Sequence, residues 1–133
     1  MPFKLIIVSK IYADYGKRFD LVGFPDDEVM KFATNIQKYL IKNDKKMLAK
    51  LIAYPIEVKI DGKEKTIRNE KEFINNFDKI FNVNLKKAII NAEPLIMFAN
   101  QYGAVLGEGG YNDWFTGIVR KGNVYLLIYT INN

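Results

Sequence analysis

A chain of 133 residues, 49% of them apolar and 26% charged, is long enough for one domain with its own core, and no apolar run reaches the ~18–20 residues that span a bilayer. It has neither cysteine nor histidine. That excludes disulfides, thiolate nucleophiles, zinc chemistry and Ser-His or Cys-His triads, and leaves carboxylates, tyrosine and lysine for any acid–base work.

The N-terminal stretch "MPFKLIIVSKIY" holds four consecutive apolar residues before Ser9, too few for the core of a signal peptide, and a cytoplasmic chain is expected. Residues 1–25 read as a short strand or an arm ahead of one domain spanning 1–133. After Pro25, Val29, Phe32, Ala33, Ile36 and Leu40 recur at helical spacing. Asp26, Asp27 and Glu28 stand at the start of that helix, where acidic side chains favour the positive end of the helix dipole. They lack the alternating spacing of a calcium loop, and no metal or cofactor is expected. A second short helix starts at Asp44. "YPIEVKI" is a strand, and Asp61-Gly62 is a hairpin turn. Asn69 with Glu72 forms a capping box in front of a helix that carries Phe73, Phe77, Ile80 and Phe81 on one face. Residues 83–92 fit either a short helix or a connection.

From Leu95 the pattern turns to strand: "LIMFANQYGAVLG", then "WFTGIVR", then "VYLLIYTI", the last two joined at Lys121-Gly122-Asn123. In the terminal strand, alternation puts Tyr125, Leu127, Tyr129 and Ile131 on one face and Val124, Leu126 and Ile128 on the other. The glycines of "GAVLGEGG" lead into a strand with no Lys-Ser/Thr after them, so they do not form a phosphate loop. Gly103, Gly107 and Gly117 instead read as the bends of a curved sheet. The order of elements indicates an α+β fold, a curved antiparallel sheet wrapped around about three helices. The net charge of +5 sits in the middle third, where residues 45–90 carry 11 basic and 6 acidic side chains. Interleaved on helices and a hairpin, these read as a solvated face, and nucleic acid is not an expected partner.

Residues 54–81, "YPIEVKIDGKEKTIRNEKEFINNFDKIF", and 103–115, "GAVLGEGGYNDWF", give the chain a resemblance to the nuclear transport factor two-like (cystatin-like, cone-shaped) superfamily over roughly residues 26–133. The resemblance implies a cone-shaped α+β fold. It also admits pocket enzymes of the isomerase or dehydratase type, whose candidates here would be Glu108 and Asp113 with Tyr102 or Tyr125. Glu108 lies between glycines at a bend and Asp113 reads as a turn residue, so no position matches a catalytic motif of those enzymes. The small bacterial members it is similar to include immunity proteins. The expectation is therefore a non-catalytic module that binds and neutralises a cognate toxin, with a homodimer through the outer sheet face as a further expectation. Tyr111, Asp113, Trp114, Phe115 and Glu108, with Asp26, Asp27 and Glu28, are the expected partner contacts. Aromatics such as Trp114 and Phe115 are the usual anchors of protein interfaces.

Overall fold

The computed structural model describes residues 19–133, so most of the expected N-terminal strand or arm lies outside the described residues. Helix α1 (Asp26–Ile41) buries Val29, Phe32, Ala33, Ile36 and Leu40, the five positions its periodicity marks. Asp44 opens helix α2 (Lys45–Ala49), its carboxylate accepting the Met47 N–H at 3.2 Å. Strands β1 (Ile56–Ile60) and β2 (Lys63–Ile67) pair as an antiparallel hairpin. Both turn residues, Asp61 and Gly62, have positive φ, as a two-residue turn that follows strand twist requires.

Half of the expected capping box forms, and the Glu72 side chain bonds the residue before the cap instead of the cap itself. Asn69 Oδ1 accepts the Glu72 N–H at 2.9 Å, and the Glu72 carboxylate reaches back to the Arg68 N–H at 2.8 Å. Helix α3 (Glu70–Asn75) then breaks at Asn76, and α4 (Phe77–Ile80) follows. Phe73, Phe77 and Phe81 meet as a triad, with ring centroids 5.5–6.0 Å apart. Residues 83–92, open on sequence grounds, are mostly helix: α5 (Val83–Ile90) starts at Asn82, whose side chain accepts the Leu85 N–H at 2.9 Å. Its other end is closed from α1, where Gln37 Nε2 donates to the carbonyls of Ile89 and Ala92 at 2.9 and 2.8 Å.

A 3-10 turn at Pro94–Ile96 leads into the four-stranded antiparallel sheet β3 (Phe98–Asn100), β4 (Gly103–Glu108), β5 (Tyr111–Arg120) and β6 (Asn123–Asn132), in that spatial order. The stretch expected as one strand from Leu95 to Gly107 is thus a 3-10 turn and two strands, because Pro94 seeds the turn and Gln101-Tyr102 makes a hairpin. The described residues hold five α-helices rather than three, since the helix after Asn69 is split at Asn76 and residues 83–90 add a helix of their own. The architecture is α+β with two antiparallel sheets of two and four strands.

The two sheets are tied along β6. Ile128 exchanges backbone hydrogen bonds with Leu51 and Ala53 at 2.7 and 2.8 Å. The Asn133 side chain acts like a strand residue beside β1, accepting the Lys59 N–H at 2.9 Å and donating to the Lys59 carbonyl at 2.8 Å and the Ile80 carbonyl at 3.0 Å. Gly103 and Gly107, at φ 140° and 122°, let β4 lie close to β5. A Cβ at Gly103 would stand 2.4 Å from the Phe115 carbonyl oxygen.

One register feature corrects the simple alternation. Trp114 pairs with Thr130 but Phe115 pairs with Ile128, so Tyr129 is an extra residue, a β-bulge. The bulge returns Ile131 to the face that carries Ile128, and both are buried. The expectation that Ile131 points with Tyr125 and Leu127 is therefore wrong.

Candidate functional site

Strand β5 supplies most of the candidate residues, and its period of two divides them between faces. Phe115 and Asp113 point inward. Phe115 is fully buried, its ring 4.8 Å from Phe32 of α1. Asp113 is also fully buried, flanked in the sheet by Leu106 of β4 and Ile131 of β6, with α5 packed on β4 and β5. Neither of its carboxylate oxygens has a hydrogen-bond partner. Burial pushes its pKa well above the ordinary carboxylate range, because the ionised form would be stripped of water without compensation. Two expectations are corrected here. Asp113 is a strand residue, since the turn is made by Gly109-Gly110. Asp113 and Phe115 cannot be partner contacts on this folded surface, because neither is accessible.

Trp114 points the other way. The pairings Phe98–Val105, Val105–Trp114 and Trp114–Thr130 line these side chains up across the outer face of all four strands. Phe98 meets Trp114 edge to face over Val105, with ring centroids 6.4 Å apart. The next outward pairs are Thr116–Leu127 and Ile118–Tyr125. Phe98 is 59% exposed and Tyr125 49%.

Glu108 and Tyr111 face each other across the β4–β5 turn on the side of α5. With Asn84, Lys87, Ala88 and Asn91 they line an open depression of about 510 Å³, in which the Asn84 side chain donates to the Tyr111 hydroxyl at 3.3 Å. Asp26, Asp27 and Glu28 form the first turn of α1, where the Asp26 carboxylate accepts the Phe19 N–H at 3.0 Å. Neighbouring Phe24 fills the space beside Gly117. Gly117 is six residues along β5 from Tyr111, roughly 20 Å at strand rise, so the acidic trio and Glu108 belong to different regions. Tyr102 is exposed in the β3–β4 turn, and its carbonyl accepts the Tyr129 hydroxyl at 2.7 Å. Among the described residues it joins no carboxylate in a catalytic arrangement.

Phe98 and Val105 escape a reading of the sequence. Without the turn at Gln101-Tyr102, nothing sets Phe98 beside Val105 and Trp114. A readable signal for Asp113 does exist: Asp113, Phe115 and Gly117 alternate with Trp114, Thr116 and Ile118, which places the carboxyl on the phenylalanine's face.

No protein-family model, curated protein or solved structure matches the chain. Among the described residues no helix is long and apolar enough to cross a membrane.

Proposed function

We propose that this chain is a non-catalytic protein-binding module of the nuclear transport factor two-like type, its four-stranded sheet wrapping the helices as a cone, and that it neutralises a cognate toxin docked on the outer sheet face. The observation that carries the reading is the outward row Phe98–Val105–Trp114, continued by Leu127, Ile118 and Tyr125, in which Phe98 and Tyr125 are exposed and the others half-buried. The inner face does not offer a comparable surface, because Ala104, Leu106, Phe115, Ile128 and Ile131 are buried there and the Phe32 ring packs on Phe115. Rigid aromatics on a regular strand suit a hot spot, since they lose little conformational entropy on binding. The toxin as partner comes from the resemblance of residues 54–81 and 103–115 to immunity-type members.

The test is growth rescue with a toxic domain encoded beside this chain's gene, followed by calorimetry of the pair. Co-expression should restore growth. Trp114→Ala, shown by circular dichroism to stay folded, should weaken the complex by about 2 kcal/mol, near thirtyfold. Unchanged affinity in Trp114→Ala would remove the outer face from the proposal.

One observation favours a second reading, a small-molecule enzyme of the isomerase or dehydratase type. A carboxyl without partners on the inner face of the sheet is what a pocket acid or base requires. Leu106 and Ile131 on both sides of Asp113, and its full burial, speak for the first reading. Turnover of a ketosteroid, epoxide or polyketide-like substrate that disappears in Asp113→Asn would reverse the choice.

A further inference from the structure

The sheet is unequal at one edge. Strand β3 pairs with β4 through Gly103, Ala104 and Val105, so among the described residues Leu106, Gly107 and Glu108 have a strand neighbour on the β5 side alone. No turn or loop backbone bond from the described residues reaches these three either. Backbone groups in an antiparallel ladder point alternately to the two sides. Glu108 and Tyr111 flank a two-residue turn and bond each other, and Leu106 bonds Asp113 by the same alternation. The N–H and C=O of Gly107 therefore point away from β5, toward the open side.

Beside that edge lies a groove of about 380 Å³, running from the 3-10 turn at Pro94–Ile96 to the end of β4. Its rim carries Ile96 and Phe98, 66% and 59% exposed, and its charged side chains are Glu93 and Glu108, with no basic residue in the lining. Gly107 presents bare backbone there. A vacant pair of strand hydrogen bonds, an apolar rim and two carboxylates define one kind of occupant. An extended peptide would use the backbone pair for affinity, an apolar side chain for the rim and a cation for the glutamates.

We propose that the open edge of β4 at Gly107 takes up an extended segment of the partner protein as an added strand, the segment carrying a large apolar residue next to lysine or arginine. The inference rests on the protein-binding role and adds which part of the partner is read. It places the contact at the end of the outer aromatic row, so Phe98 and Val105 serve both surfaces.

The probe is a phage-displayed library of random 12-residue peptides panned on the full chain, with the enriched peptides then synthesised and titrated into isotope-labelled protein. Enriched sequences should join an aromatic or branched apolar residue to Lys or Arg, shift the Gly107 amide resonance and slow its hydrogen exchange. Glu93→Gln combined with Glu108→Lys, both exposed positions, should weaken those peptides tenfold or more. The proposal is overturned if no peptide is enriched, if the enriched peptides leave the Gly107 amide unmoved, or if the charge changes have no effect. Peptides that shift Trp114 and Tyr125 but spare Gly107 overturn the edge assignment while leaving the outer-face reading intact. That reading fails separately, when Trp114→Ala leaves the affinity of the whole partner unchanged.

Discussion

Asp113→Asn isolates what a buried, unpartnered carboxyl does to stability. In the unfolded chain the group titrates near 3.8, while in the folded protein burial holds it well above that. Between these values the folded state keeps a proton that the unfolded state has released. Folding stability therefore falls as pH rises through the window, the reverse of the usual behaviour of a salt-bridged aspartate. One proton per molecule corresponds to a slope of about 1.4 kcal/mol per pH unit. Asparagine has nearly the same shape and does not titrate, so subtracting the variant's profile from the wild type's removes every other group. Urea unfolding at pH intervals from 4 to 7 should give similar stabilities for the two proteins near pH 4. The asparagine variant should then gain over wild type by about 1.4 kcal/mol for each unit within the window. Parallel profiles would mean that the carboxyl is ionised or solvated in the folded state, and the argument from burial would fail.

Two glycines separate close approach from mere backbone freedom. Gly103→Ala should cost upwards of about 3 kcal/mol or prevent folding, because its Cβ would stand 2.4 Å from the Phe115 carbonyl oxygen at a φ of 140°. Gly110→Ala meets nothing within 4 Å and should change thermal stability by less than about 0.5 kcal/mol. Asn133→Ala removes three side-chain hydrogen bonds that join β6 to β1 and α4, and should cost about 1–3 kcal/mol in chemical denaturation. Asn82→Ala removes the cap of α5 and the bond to the Asn133 carbonyl, and about 1–2 kcal/mol is expected.

The elements with local causes were legible in the sequence. The spacing of Val29, Phe32, Ala33, Ile36 and Leu40 announces α1, and Asn69 with Glu72 announces α3, because capping and periodicity act within a few residues. The turns at Asp61-Gly62 and Lys121-Gly122 are equally local, each needing positive φ at both positions. The candidate site was legible only in part, because it depends on register. Trp114 and Phe115 are neighbours in sequence, and only strand pairing sends one into the core and the other outward. Asp113 looked like a turn residue because the glycines and asparagine around it are turn formers. The actual turn was two residues long and finished at Gly110, leaving Asp113 two places inside a strand. Phe98 became part of the outer row through a hairpin at Gln101-Tyr102 that carries no glycine or proline of its own.

The bulge at Tyr129 has a consequence for insertions and deletions. Loss of a single residue within a strand ordinarily inverts every side chain beyond it. Tyr129 is already the surplus residue, so its removal would let Thr130 follow Ile128 directly, with Thr130 outward and Ile131 inward as they are now. What would disappear is the hydroxyl bond to the Tyr102 carbonyl. Shortening β6 at this one position keeps the inside and outside of the sheet in phase, whereas a deletion at Leu126 or Leu127 would put the core residues of one end into water.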